Sequence, residues 1–185
     1  MGRIVISENV SLDGVVEDPA GDEGFSAGGW VGLIATRPEV AKAALDEALA
    51  ADVLLFGRRS YDWFGGRWPS RTGELADRLN SMPKYVVSSK LYEGAWNNTT
   101  VLRGDEVAAL KDDLDGDVLV LASFGLLRTL MADDLVDEMR LKVFPIVLGS
   151  GARLFGESED PKPLRLVETN ALGDEIAFLR YQRQV

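Results

Sequence analysis

The segment Leu54-Leu55-Phe56-Gly57-Arg58-Arg59-Ser60-Tyr61 runs from an apolar strand into a glycine, two arginines and a serine. Those residue types in that order suit an anionic ligand. Gly57 lets the backbone approach closely. Arg58 can fork onto a phosphate. Ser60 is expected as the N-cap of a short helix, whose first N–H groups and positive dipole end would face the anion. A strand, a glycine turn and a capped helix are also ordinary α/β architecture, so the segment alone leaves both readings open.

Two other strand ends carry similar chemistry. Val86-Val87-Ser88-Ser89-Lys90 closes a strand with two hydroxyls and an ammonium, and Leu121-Ala122-Ser123-Phe124-Gly125-Leu126 joins a strand to a helix. Ser88 and Ser89 either end a strand or meet a ligand; Ser123 is either a simple N-cap or part of a site. Asp13 follows the first strand. It is the best carboxylate for proton chemistry, with turn formation before Gly14 as the alternative. Trp30, after Gly28-Gly29, fits a substrate-pocket wall that stacks on a heteroaromatic ring, or a core or dimer contact. Tyr61, Trp63, Phe64 and Trp68 read as a packed aromatic cluster. Asp137 and Glu138 are expected to pair with Arg140 or Lys142 across a sheet or dimer seam. Gly149-Ser150-Gly151 reads as a tight connection with left-handed backbone angles.

The chain has 185 residues, with no Cys and no His. That excludes disulfides, thiol nucleophiles, a Ser-His-Asp triad and zinc sites with Cys or His ligands. Catalysis would have to use carboxylates, Lys, Tyr, Ser, water or a cofactor. The net charge of −10 repels nucleic acid and anionic membrane. Any phosphate site must therefore be a local cluster of Arg, Lys and backbone N–H groups. The opening Met1-Gly2-Arg3-Ile4-Val5-Ile6 turns polar too soon for a signal peptide, and no apolar run reaches the ~20 residues of a membrane span. A cytoplasmic protein is expected.

These residues must be positioned by regular elements. Strands are expected at Arg3–Glu8, Asp52–Phe56, Lys84–Ser88, Thr99–Leu102, Val118–Leu121 and Val136–Phe144. Helices are expected at Pro38–Ala51, with Val40, Ala44, Leu45, Ala48 and Leu49 on one face, and at Ser60–Phe64, Gly73–Asn80, Asp105–Leu114 and Phe124–Met131. Leu164–Leu172 and Glu175–Arg183 flank Gly173-Asp174 as a hairpin. The Gly-rich acidic stretch from Glu17 to Trp30 is long for a connector, which favours a ligand-facing or interface role. Strand–helix alternation in the middle implies βαβ units and a mainly parallel sheet.

The motifs occur in a fixed order: Ser11-Leu12-Asp13-Gly14, the Gly57–Tyr61 turn, Ser88-Ser89-Lys90, Ala122–Leu126, Leu135-Val136-Asp137-Glu138, then Pro145 through Gly151 and Leu154-Phe155. This series resembles the dihydrofolate reductase-like superfamily. It is most similar to the branch holding the reductase domain of the riboflavin-biosynthesis deaminase–reductase and its stand-alone relatives. The resemblance implies one reductase domain over residues 1–185. Its fold would be three-layer α/β/α, with a mixed, mainly parallel central sheet and a C-terminal antiparallel hairpin. It further implies NADPH as cofactor, a small heterocyclic or carbonyl substrate, and a homodimer. Carried over by position, Gly57, Arg58, Ser60 and Tyr61 would hold cofactor phosphates. Ser88, Ser89 and Lys90 would lie beside the adenosine 2′-phosphate, and Ser123, Phe124, Gly125 and Leu126 would receive the pyrophosphate. Two departures stand out. Ala122-Ser123 replaces the usual Gly-Gly or Gly-Ser pair, and Leu121 stands where the riboflavin-pathway reductases tend to carry an acidic residue. A non-catalytic nucleotide-binding or dimer-forming protein with the same fold is the alternative.

Overall fold

The computed structural model describes residues 1–33, 37–157 and 160–184. Its strands are β1 (Arg3–Ser11), β2 (Val53–Gly57), β3 (Lys84–Val87), β4 (Thr99–Leu102), β5 (Asp117–Leu121), β6 (Val136–Phe144), β7 (Leu164–Leu172) and β8 (Ile176–Arg183). The helices are α1 (Pro38–Ala50), α2 (Arg58–Gly65), α3 (Glu74–Ser81), α4 (Glu106–Asp113) and α5 (Phe124–Ala132), with 3-10 turns at Trp30–Leu33 and Trp68–Ser70. The strands form one mixed sheet in the order β4-β3-β2-β5-β1-β6-β8-β7. The chain divides into two compact units: residues 1–6 with 44–137, and residues 7–43 with 138–185.

The first unit contains the βαβ part. β2 pairs in parallel with β3 on one side, from Leu54↔Lys84 to Gly57↔Val87, and with β5 on the other, from Val53↔Val118 to Leu55↔Val120. β3 pairs in parallel with β4. The run Val53-Leu54-Leu55-Phe56 shows no alternation because both faces of β2 are covered, and all four side chains are buried. Phe56 anchors the core, with Tyr61, Phe64 and Trp96 rings 5.2–6.4 Å away. The aromatic cluster is thus core packing for Tyr61, Phe64 and Trp68. Trp63 instead lies under the Arg67 guanidinium, 4.4 Å from it.

Lys84 is the unusual member of this core. It is fully buried, and its ammonium donates to the carbonyls of Asn80 (3.0 Å), Met82 (2.8 Å) and Asn97 (3.2 Å) while lying 4.5 Å from the Trp96 ring. Burial pushes its pKa down from 10.5 to about 8. The oxygens of the α3 C-terminus, which a helix leaves without intrahelical partners, are what make the charge tolerable there.

In the second unit, β6 and β8 pair antiparallel from Glu138↔Gln182 to Val143↔Ala177. β8 and β7 form the expected hairpin, with a register shift between Leu166 and Glu168 and Gly173 turning at φ 60°. Trp30, Phe144 and Ile176 form its small core. The Glu17–Trp30 loop is organised around one buried carboxylate. Asp18 accepts N–H bonds from Gly21 (2.8 Å), Asp22 (2.9 Å) and Phe25 (3.1 Å).

Three expectations change. β1 runs three residues further than its apolar pattern suggested. In α1 the buried positions are Glu47 and Ala48, whereas Leu49 is exposed, so the buried stripe is narrower than the sequence periodicity implied. Asp137 pairs with Lys111 (2.6 Å) rather than Arg140 or Lys142. Glu138 does pair with Arg140 (2.8 Å), and Lys142 donates to the Ser7 hydroxyl (2.8 Å).

Candidate anion-binding crevice

β2 is the switch point of the first unit. The chain leaves it through α2 and α3 to reach β3 on one flank, while β5 lies on the other. In parallel sheets the crevice outside the carboxyl ends of the strands at such a point is where ligands bind. Both helices that follow these two ends, α2 and α5, begin there.

Two hydrogen bonds join the two starts, and a third anchors one of them. The Gly57 N–H donates to the Ser123 hydroxyl (3.2 Å), which itself donates to the Leu121 carbonyl (2.9 Å). The Ser60 hydroxyl donates to the Ala122 carbonyl (2.6 Å). A Cβ on Gly57 would sit 3.4 Å from the Leu126 Cβ, so glycine here permits close packing of β2 on α5. Ala122 sits at φ 45°, a left-handed angle unusual for a residue with a side chain.

This corrects the expected role of Ser60. α2 begins two residues earlier, at Arg58, with Gly57 in the cap position and no side-chain cap bond. Ser60 is inside the first turn, and its hydroxyl is committed to tertiary structure. Ser123 occupies the cap position of α5, yet it also makes no side-chain cap bond. Neither cap residue therefore places its own side-chain oxygen on the first N–H groups of its helix, the arrangement that favours an anion. Gly125 is exposed, and nothing lies within 4 Å of where its Cβ would be, so the α5 start is open.

Cationic groups surround these starts. Arg58 is exposed and pairs with Asp62 (2.7 Å). Arg59 and Arg128 bracket the Phe124 ring at 6.0 and 5.5 Å. The sequence reading missed both, since an arginine gains this meaning only when two helix starts are brought together. Tyr61 differs from expectation more sharply. Its ring is 3% exposed in the core, and its hydroxyl donates to Thr99 Oγ1 (3.2 Å) and accepts the Trp96 N–H (2.8 Å). As the fourth residue of α2 it lies on the helix face turned to β2.

The Ser88–Lys90 loop follows β3. Ser88 is buried, and its hydroxyl accepts the N–H groups of Lys90 (3.2 Å) and Leu91 (3.0 Å). Ser89 and Lys90 are exposed.

Asp13 and Trp30 belong to the second unit. The Asp13 carboxylate accepts from the Ser11 hydroxyl (2.6 Å), the Leu148 N–H (3.1 Å) and the Gly149 N–H (2.8 Å). These donors, the Ser11 hydroxyl foremost, lower its pKa from 3.8 to about 2, so it stays ionised at neutral pH and holds no proton to give. Gly149 and Gly151 adopt φ 79° and 110°, the left-handed angles expected of that turn. Trp30 is 1% exposed, donates its indole N–H to the Glu17 carbonyl (2.9 Å) and meets Phe144 edge-on at 5.4 Å. The structure places it in the small core of the second unit, with its single donor already used. Among the described residues no group of three or more acidic side chains is placed to hold a metal ion, and no helix is long and apolar enough to cross a membrane.

A mixed sheet with a parallel βαβ section, a crevice at the β2/β5 switch point and a closing antiparallel hairpin defines a dihydrofolate-reductase-like fold. Solved structures bear this out. A Shewanella sp. PV-4 protein named for riboflavin biosynthesis aligns with a TM-score of 0.75 at 23% identity, over 99% of both chains. Dihydrofolate reductase from Enterococcus faecalis, complexed with NADP(H) and RAB-propyl, aligns at 0.65 and 13%, over 99% of this chain and 97% of that one. RibD from Acinetobacter baumannii aligns at 0.67 and 15%, over all of this chain and 58% of that one. The chain belongs to the RibD C-terminal domain family, whose model it matches over residues 3–178. The protein YyaP of Bacillus subtilis (strain 168) is 28% identical over 188 residues, covering 97% of this chain and 94% of YyaP.

Proposed function

We propose that this chain is an NADPH-dependent reductase of a small heterocyclic or carbonyl compound, pterin- or pyrimidine-like, built as a single reductase domain. The observation that carries the reading is the pair of neighbouring helix starts, α2 and α5, that lack a side-chain cap. A dinucleotide pyrophosphate fits such a pair, because its oxygens would accept the first N–H groups of both helices. In this assignment Gly57 and Ser60 shape one wall, with Arg58 reaching from it toward the 2′-phosphate, and Ser123, Phe124, Gly125 and Leu126 shape the other. Ser88, Ser89 and Lys90 lie at the loop that would meet the 2′-phosphate, with Tyr61 supporting from the core of the same unit. The cofactor would supply hydride from the nicotinamide. Asp13, held ionised, orients rather than protonates, and the proton comes from water. Family membership supports the reading, the net charge of −10 disfavours nucleic-acid and anionic-membrane partners, and a cytoplasmic location is part of the same proposal.

The second reading is a nucleotide-binding protein without turnover. The commitment of all the Asp13 carboxylate bonding to its own loops favours it.

Titration with NADPH and NADH, followed by tryptophan quenching, tests the binding step. NADPH-selective binding is expected. Arg58→Ala should then weaken NADPH about tenfold more than NADH, as expected of a charge-assisted phosphate contact. Equal losses would remove Arg58 from the 2′-phosphate. Absence of binding by either cofactor would overturn the proposal, and binding without oxidation in the presence of pterin, pyrimidine and carbonyl acceptors would favour the second reading. A homodimer is part of the same proposal. Light scattering should give twice the 20.2 kDa of one chain, and a monomer would remove the dimer.

A further inference from the structure

Arg103, the residue after β4, has an environment out of proportion to its place in the sequence. Its backbone is fixed from both sides by one neighbour: its N–H donates to the Glu106 carboxylate, and its carbonyl accepts the Glu106 N–H (3.1 Å). Beside it, the Ser88 N–H donates to the Leu102 carbonyl (3.0 Å), which extends the β3–β4 pairing one step past Val87↔Leu102. From that fixed base the Arg103 side chain crosses to the next loop. One guanidinium nitrogen donates to the Ser88 carbonyl and to the Leu91 carbonyl (3.3 Å). The Ser88–Leu91 turn is thus held by the Ser88 hydroxyl and by Arg103. The two residues it presents to solvent are Ser89 and Lys90.

A guanidinium spent on two carbonyls of one turn does something specific. It fixes the direction of the peptide units on either side of Ser89 and Lys90, and it turns a four-residue surface loop into a rigid mount. It also adds a permanent positive charge to the turn that carries Lys90, and added positive charge there favours an anion.

We infer that Arg103 is the positioning residue of the Ser88–Lys90 loop and that, through it, this chain selects a 2′-phosphorylated dinucleotide. The inference rests on the reading of that loop as the 2′-phosphate contact. Arg103 itself acts through the Ser88 and Leu91 carbonyls.

The test is the ratio of the NADH and NADPH dissociation constants in wild type, Arg103→Met and Glu106→Gln, each with its thermal midpoint. Arg103→Met should lower the ratio about tenfold, mostly through loss of NADPH affinity. Glu106→Gln keeps the guanidinium and loosens its base, and should lower the ratio less, in the same direction. A purely structural brace would lower the midpoint and leave the ratio unchanged, which would overturn the inference. If wild type itself shows no preference for NADPH, the 2′-phosphate reading of the loop fails and the inference falls with it. If wild type is selective and both variants stay selective, only the inference falls. Should Arg103→Met fail to fold, Glu106→Gln alone decides by the same ratio.

Discussion

Asp13 illustrates what a residue's neighbours in sequence conceal. Its place after the first strand made it the natural carboxylate for catalysis, but two of its three donors come from Leu148 and Gly149, 135 and 136 residues away. Oδ1 accepts from Ser11 and Leu148, and Oδ2 accepts from Gly149. An asparagine could keep the oxygen at the first position only. Its amide group would then face the Gly149 N–H, donor against donor. Asp13→Asn should therefore lower the thermal midpoint at pH 7, despite its near-identical shape. The pH dependence has a definite sign. The folded pKa of about 2 lies below the ordinary 3.8, so the carboxylate's stabilisation is complete above that ordinary value and is lost as pH falls through about 2. The gap between wild type and Asp13→Asn should close over that window, as read by thermal unfolding from pH 7 down to pH 2. Equal midpoints at pH 7 would show that the three bonds contribute nothing.

At the scale of elements, the pattern of apolar residues was enough to place the βαβ core. β4 and β6 coincide with their sequence-derived bounds, and α5 runs one residue longer; β6 carries four charged residues, and its end was legible because Pro145 follows it. The starts of helices were less legible. Ser60 looked like a cap because serine usually is one. Its hydroxyl is instead taken by the Ala122 carbonyl, 62 residues on, a partner that no local pattern reveals. Arg103 was missed for the same reason: its meaning depends on Ser88, fifteen residues away across a parallel strand pair. Ala122 stood out in the sequence only as a departure from the glycine pair that the resemblance implies, and its angle of φ 45° is one that glycine adopts more readily. A left-handed angle costs a residue with a Cβ roughly 1 kcal/mol, while glycine costs roughly 0.5–1 kcal/mol of unfolded-chain entropy. Ala122→Gly should therefore change stability by less than about 1 kcal/mol. Ala122→Val, β-branched at the same angle, should lose more than about 1 kcal/mol. Urea denaturation of the two variants distinguishes them; a valine variant as stable as the glycine variant would show that the angle carries no strain.

At the scale of the whole molecule, the proposed ligand and the protein carry the same sign of charge. The chain holds 30 acidic and 20 basic residues, while the crevice starts and the loop beside them carry Arg58, Arg59, Lys90, Arg103 and Arg128. The two fields act over different distances. Repulsion from the net charge of −10 reaches outward by the Debye length, about 30 Å at 0.01 M salt and about 8 Å at 0.15 M. The bonds a phosphate would make to backbone N–H groups and guanidinium act within about 3 Å and are screened far less. Raising the salt from 0.01 to 0.15 M should remove most of the repulsion met during approach and little of the attraction felt after arrival. The association rate of NADPH should then rise with salt, by a few-fold, in stopped-flow tryptophan quenching. The rise should be smaller for NADH, which carries less negative charge. An association rate that falls with salt would mean that the local arginines govern the approach as well as the grip, and that the acidic remainder of the molecule lies too far from the crevice to matter.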